Sequence, residues 1–177
     1  LWPDSNGDGA PDGDGPIATT TTGTGGYYLF DMLLPGDYVV QIPASALASG
    51  PLAGHVSSSG NDGADGAPDP DNDVDSDDNG DPAGELGVVS KAVTLSYGAE
   101  PTAEDGNLPS AGGDGDSNQT IDFGFLPSQH SLGNFVWFDD NNNGIVDSGE
   151  APVPDGVVVE LLTADLTTVL DSDTTTN

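Results

Sequence analysis

The stretch Asn134-Phe135-Val136-Trp137-Phe138-Asp139-Asp140-Asn141-Asn142-Asn143-Gly144-Ile145-Val146-Asp147-Ser148-Gly149-Glu150-Ala151-Pro152-Val153-Pro154 decides the fold class. Its entry is aromatic and β-branched, a strand composition. Its middle is built from Asp, Asn and Gly, the residues of turns. Its exit carries prolines two and four residues past Glu150, where an outgoing helix would need backbone N–H groups and a free α conformation. The loop is therefore strung between extended segments, and the chain reads as all-β.

Working outward, period-two alternation recurs in short segments separated by Gly, Asp, Pro and Asn, and helical periodicity is nearly absent. Tyr38, Val40 and Ile42 are expected to face a core, with Val39 and Gln41 facing away. Val93, Leu95 and Tyr97 repeat this around Thr94 and Ser96, as do Ile121, Phe123 and Phe125 around Asp122 and Gly124. Residues 26–30, 132–138, 157–162 and 167–171 read as further strands. Seven short strands predict an antiparallel β-sandwich. The step from Phe30 to Tyr38 reads as a tight connection between antiparallel neighbours, with Pro35 and Gly36 supplying the turn.

Charge sets the chemistry. The 177 residues include 31 Asp and Glu against one basic residue, Lys91, for a formal charge of -30. Self-repulsion on that scale disfavours a compact state unless cations neutralise it. Nucleic acid and anionic membranes are poor partners, because both are met by Lys and Arg. The chain has no Cys, so disulfides and thiolate metal sites are excluded. No apolar run approaches the ~20 residues of a membrane span, and no basic n-region precedes an apolar stretch, so any export signal or anchor is expected outside this segment.

Residues 139–150 fit the twelve-residue calcium pattern D-x-[DN]-x-[DN]-G with Glu at the last position. Calcium wants six to eight oxygens. Asp139, Asn141 and Asn143 offer side-chain oxygens on alternate positions, Ile145 its carbonyl, Asp147 a direct or water-mediated ligand, and Glu150 a two-oxygen closure. Gly144 permits the sharp turn. A second candidate runs through Asp75, Asp77, Asn79 and Asp81, but Leu86 stands at its last position and Glu85 falls one place early; Asp69, Asp71 and Asp73 alternate ahead of it. A third, Asp4, Asn6, Asp8, Ala10 and Asp12, has the first half of the pattern and Gly15 at its end. Residues 61–69 and Asp114-Gly115-Asp116 are weaker echoes.

Residues 44–87, and more briefly 100–118, are mostly Gly, Asp, Pro, Ser and Ala, and are expected to be disordered loops without ligands. The ends hint at a repeat. Leu1-Trp2 and the Thr19–Thr22 run resemble Leu161-Leu162 and the run 174–176 at an offset of about 155–160 residues, although Thr runs also recur by composition alone. On the repeat reading, residues 1–128 hold the middle and C-terminal strands of one copy, and residues 129–177 hold the opening strands of the next.

Gly133-Asn134-Phe135-Val136-Trp137-Phe138-Asp139 through Asn143-Gly144, then Gly149-Glu150 and Pro154-Asp155-Gly156-Val157, resemble the calcium-binding B-type repeats of Sdr-like bacterial surface proteins, which are related to collagen-adhesin B-type domains. Gly26-Tyr27-Tyr28-Leu29-Phe30, Pro35-Gly36-Asp37-Tyr38-Val39-Val40 and Asp122-Phe123-Gly124-Phe125 are similar to further strands of that family, in permuted order. The resemblance implies an immunoglobulin-like or transthyretin-like sandwich serving as a rigid extracellular stalk, with Ca2+ in the 139–150 loop. Some collagen-adhesin relatives carry a Lys–Asn isopeptide staple. Here the first strand holds no Lys, so calcium is the expected staple.

Catalysis finds no support in the sequence. His55 and His130 are isolated, there is no nucleophile motif, and Asp scattered among Gly makes no apolar pocket to raise a carboxyl pKa. The expected partners are neighbouring copies, head to tail in a tandem array or a fibre, joined either covalently or by strand donation. Glycans on the Thr runs or on the sequon Asn118-Gln119-Thr120 are a further expectation. The competing reading is an adhesin or a carbohydrate-binding accessory module that uses Trp2 or Trp137 as a platform. Either way the chain is expected on a bacterial surface or secreted.

Overall fold

A computed structural model of the chain describes residues 1–59, 66–75, 77–102, 104 and 108–176. Two compact units divide it, Leu1–Gln129 and His130–Asn177. In chain order the strands of the first unit are β1 (Trp2–Pro3), β2 (Gly36–Val39), β3 (Gln41–Ile42), β4 (His55–Ser57), β5 (Asp81–Pro82), β6 (Val88–Val89), β7 (Val93–Leu95) and β8 (Phe125–Pro127). The second unit contributes β9 (Val158–Leu162) and β10 (Val169–Thr174). One short α-helix, Ala44–Ala48, follows Pro43. The chain is β-rich, as the alternation predicts.

In the first unit, β1, β2 and β7 form an antiparallel sheet in register Trp2↔Val39 and Tyr38↔Val93. A second sheet orders β3, β6 and β5 through Gln41↔Val89↔Asp81, and β4 pairs with β8 through Val56↔Leu126. Leu1, Val40, Val93 and Ile121 make the buried cluster, with Tyr28, Phe30, Leu33 and Phe123 packed on it. The Tyr28 and Phe30 rings meet edge to face at 6.0 Å, a favourable aromatic geometry. The Tyr28 hydroxyl donates to the Ile121 carbonyl at 2.8 Å. Burial, and then the nearby Asp122 charge, raise its pKa.

Short strands leave many backbone groups unpaired, and a polar clamp takes over part of the ladder's role. Asn79, fully buried, donates its backbone N–H to Asp122 O and accepts the Asp122 N–H on Oδ1, both at 2.9 Å. Its neighbour Asp78 accepts the N–H groups of Gly80 at 3.1 Å and Gly124 at 3.0 Å, the Ser59 hydroxyl at 2.9 Å, and the Ser58 hydroxyl. Burial opposes ionisation of Asp78, but these donors outweigh it and hold the carboxyl below its usual range. Close approach explains Gly80, where a Cβ would lie 2.5 Å from Phe123 Cδ1 and 2.7 Å from Val88 Cγ1.

The structure corrects several expectations. Val39 is fully buried rather than outward, because the chain passes from one sheet to another at Val40 and is covered on both sides. Tyr97 is 76% exposed, since β7 stops at Leu95 and the chain turns away. Residues 27–30 run alongside the core without a strand partner among the described residues, so the step to Tyr38 is not a hairpin. It bends instead at Met32, whose φ of 59° is held by the Asp31 carboxylate accepting its N–H at 2.8 Å. Residues 132–138 form only the bridge Trp137↔Pro152. The segment 44–87, expected to be disordered, carries the helix, β4, β5 and the clamp among its described residues.

The clamp sets the acid response. A carboxyl whose folded pKa is depressed stabilises the fold above its unfolded value, near 4, and that contribution is lost as pH falls through the folded value. Asp78→Ala should cost about 2–3 kcal/mol in urea denaturation at neutral pH. The gap from wild type should shrink as the pH is taken below about 4.

Candidate metal centre

Two loops in different units share one hydrogen-bond scaffold. In residues 4–12, Asp4 Oδ1 accepts the N–H of Gly7 at 2.7 Å and of Asp8 at 3.2 Å, and Oδ2 accepts Gly9 N–H at 2.8 Å. Asn6 Oδ1 accepts Asp8 N–H and Asp8 Oδ1 accepts Ala10 N–H, both at 2.9 Å. In residues 139–150, Asp139 Oδ1 accepts Asn143 N–H at 3.1 Å and Oδ2 accepts Gly144 N–H at 2.8 Å. Asn141 Oδ1 accepts Asn143 N–H at 3.0 Å, and Asn143 Oδ1 accepts Ile145 N–H at 2.7 Å. Four bonds match position for position.

The backbone matches too. Gly9 and Gly144 have φ of 74° and 75°, and Gly7 and Asn142, three positions into each loop, have φ of 73° and 56°. Gly and Asn are the residues that enter this left-handed region at least cost. The flanks repeat: Ile17 N–H donates to Leu1 O at 2.8 Å, and Val153 N–H to Val136 O at 3.1 Å. Each loop is closed by a carboxylate on the N–H of its second residue, Asp12 on Ser5 at 2.7 Å and Glu150 on Asp140 at 3.1 Å. The geometry thus sets Trp2 against Trp137, a different correspondence from the one the Thr runs suggest.

Electrostatics follow from the scaffold. The Asp139 carboxyl is held below its usual range by the backbone N–H of Gly144 first, and then by those of Asn143, Asn142 and Asn141. Asp147 is lowered by the side-chain amides of Asn141 and Asn143, which donate at 2.8 and 2.7 Å. At Asp4, 2% exposed, burial works against ionisation, but the loop N–H groups of Gly9, Gly7, Asp8 and Asn6 prevail and lower the pKa. Glu150 accepts Asp147 N–H on its second oxygen at 3.0 Å. Asp139, Asn141, Asn143, Asp147 and Glu150 are therefore drawn into one short curl. Its donors are all oxygens, a set that suits a hard divalent cation. Among the described residues no three His, Cys, Asp or Glu side chains stand together as a ready-made cage; the curl is a mixture of carboxylates, amides and backbone groups.

The second candidate folds otherwise. Asn79 is committed to Asp122, and Asp81 lies in β5 with Oδ1 accepting Ala67 N–H at 2.7 Å. Asp77 accepts the amides of Asn72 at 3.0 Å and Asn79 at 3.1 Å, and Asp75 is half-buried. Gly80 lacks the positive φ of Gly9 and Gly144. Of the echoes, residues 61–65 lie outside the described residues, and Asp116 accepts Gly98 N–H at 2.5 Å. Sequence reading missed an acidic recess of about 190 Å3 lined by Asp71, Asp73, Thr94, Glu100 and Asn118. Burial and then the charges of Asp71 and Asp73 raise the Glu100 pKa there. Asp71 and Asp73 stood out by their alternation, whereas Glu100 and Asn118 reach the recess from distant segments.

Backbone conformation gives a direct check on the scaffold. Gly9→Ala forces a Cβ into the left-handed region and should destabilise the first unit by about 1–2 kcal/mol in urea denaturation. Gly15→Ala, with open space around it and no positive φ, should be neutral.

Comparison with known proteins bears on one part of the chain. Residues 130–177 match the family model of the SdrD B-like domain. Colossin-A of Dictyostelium discoideum is 42% identical over 55 residues, covering 30% of this chain and, to the nearest per cent, 0% of Colossin-A. No solved structure matches the chain. The segment that carries the 139–150 loop, residues 130–177, is thus the part of the chain that is similar to an SdrD B-like domain.

Proposed function

We propose that the chain is a structural repeat of an extracellular bacterial surface stalk or filament, stiffened by Ca2+ in its acidic loops, and not an enzyme. The observation that carries this reading is the pair of matched loops. The same carboxylate-centred curl is built twice from different residues, in surroundings that differ in burial. Asp139, Asn141, Asn143, the Ile145 carbonyl, Asp147 and Glu150 would hold one ion. Asp4, Asn6, Asp8, the Ala10 carbonyl and Asp12 would hold another. The bound ion would supply the positive charge that a chain of net charge -30 lacks.

The second candidate, through Asp75, Asp77, Asn79 and Asp81, drops out of the proposed set, since Asn79 and Asp81 serve the clamp and β5. The match of residues 130–177 to an SdrD B-like domain supports placing the chain among surface-protein repeats. The finer architecture we propose is an immunoglobulin-like or transthyretin-like sandwich, with neighbouring copies head to tail as the natural partners.

Binding to the native state alone adds stability as RT ln(1 + [L]/Kd), about 2.7 kcal/mol at a hundredfold excess over Kd. Thermal melting should therefore shift upward in millimolar Ca2+ and fall back with chelator. Asp139→Asn with Glu150→Gln, and separately Asp4→Asn, should each remove part of the shift. A melt that is indifferent to Ca2+ and chelator would contradict the proposal.

A further inference from the structure

Asn-Gly occurs three times in the chain, at residues 6–7, 79–80 and 143–144. The step is chemically fragile, because Gly places no side chain in the way when its backbone nitrogen turns on the preceding amide. The Gly N–H gives its proton to solvent, the nitrogen bonds to Asn Cγ, and the Cγ–Nδ2 bond breaks to release ammonia. Water then opens the cyclic imide at one carbonyl or the other, leaving aspartate or isoaspartate. Water enters, ammonia leaves, and nothing is oxidised or reduced.

All three steps are held in the same way. Gly7 N–H donates to Asp4 Oδ1 at 2.7 Å, Gly80 N–H to Asp78 Oδ1 at 3.1 Å, and Gly144 N–H to Asp139 Oδ2 at 2.8 Å. Each Asn amide is also pinned at both ends. Asn6 Oδ1 accepts Asp8 N–H at 2.9 Å while its Nδ2 donates to Asp8 Oδ2 at 3.2 Å. Asn79 Oδ1 accepts Asp122 N–H at 2.9 Å and its Nδ2 donates to Asp77 Oδ1 at 3.1 Å. Asn143 Oδ1 accepts Ile145 N–H at 2.7 Å, and its Nδ2 donates to Asp147 Oδ2 at 2.7 Å. Burial is not the common cause, since Asn79 is fully buried whereas Asn6 and Asn143 are exposed.

We infer that Asn6, Asn79 and Asn143 are modification sites kept silent by these hydrogen bonds. An anionic acceptor makes the Gly proton harder to remove and fixes the nitrogen, and the pinned amide cannot swing its Cγ onto that nitrogen. Opening a loop releases both restraints together, so an opened loop is marked irreversibly at its own Asn. The product at Asn6 or Asn143 is a new carboxylate in the curl, and in the isoaspartate form the backbone is lengthened as well. The step Asp14-Gly15 supplies the contrast: Asp14 is exposed, the space around Gly15 is open, and Gly15 N–H has no acceptor among the described residues.

Peptide mass mapping after pepsin digestion tests this, on the folded chain held at neutral pH with chelator, beside the same chain in urea. Chelator keeps calcium out of the measurement, so the result stands apart from the calcium reading. Each native Asn-Gly step should convert at least about tenfold more slowly in the folded chain than in urea, the factor supplied by one hydrogen bond to a charged group. Asp14→Asn makes a fourth Asn-Gly step without the restraints, and it should convert in the folded chain at nearly its rate in urea. Asp139→Ala should release Asn143, with Asn6 and Asn79 still slow in the same molecules as the check that the fold persists. Asp139→Asn, which keeps an acceptor but not the charge, should give a rate between the two. Asp4→Ala makes the same test at Asn6, in the other unit. Conversion of Asn6 or Asn143 as fast in the folded chain as in urea would overturn the inference. So would rates that Asp139→Ala and Asp4→Ala leave unmoved, or an Asp14→Asn step as slow as the native three.

Discussion

The constraint that shapes this molecule is an excess of carboxylates with almost no basic side chain to meet them: 31 acids and one lysine. Even Lys91 donates to a backbone carbonyl, that of Ala67 at 2.5 Å. Carboxylates in such a chain are stabilised by the other donors available, namely backbone N–H groups, hydroxyls and side-chain amides. Asp4, Asp78 and Asp139 each gather several of these. Charge-assisted bonds of this kind are about twice as strong as neutral ones, and Gly-rich sequence lets the backbone curl closely enough to supply them. The abundance of Gly beside Asp thus follows from the missing bases.

The same device serves two ends. At Asp78 it joins segments far apart in sequence, and so completes sheets whose strands are only two or three residues long. At Asp4 and Asp139 it shapes a local curl in which side-chain oxygens are gathered within a few residues. That arrangement concentrates negative charge, which is costly alone and favourable once a cation enters. A loop shaped in advance loses less conformational entropy on binding than a disordered one.

How much of this was legible beforehand depended on how local each feature is. The 139–150 loop could be read residue by residue, because its bonds span six positions or fewer apart from the closing Glu150 on Asp140. The weaker 4–12 motif folded in the same way for the same reason. The 75–81 motif looked as good as the 4–12 one, but Asn79 and Asp81 are captured by Asp122 and Ala67, and a linear pattern cannot anticipate competitors that distant. The β-rich class followed from alternation. Burial at Val39 did not, because alternation assumes one covered face and the chain there passes between two sheets. The run at 26–30 has strand composition but no strand partner among the described residues, and the run at 132–138 pairs only through the bridge Trp137↔Pro152; both outcomes are properties of pairing and not of propensity.

The two curls are built alike, and we propose that both bind the same hard cation. Amide chemical shifts during a Ca2+ titration test it most directly, with Gly9 and Gly144 as reporters at equivalent positions of the two scaffolds. The account predicts that both resonances move saturably with Ca2+, that chelator reverses the change, and that Asp4→Asn or Asp139→Asn abolishes it only in the altered loop. Resonances that stay put through millimolar Ca2+, or that drift without saturating as general ionic strength alone would produce, would contradict it.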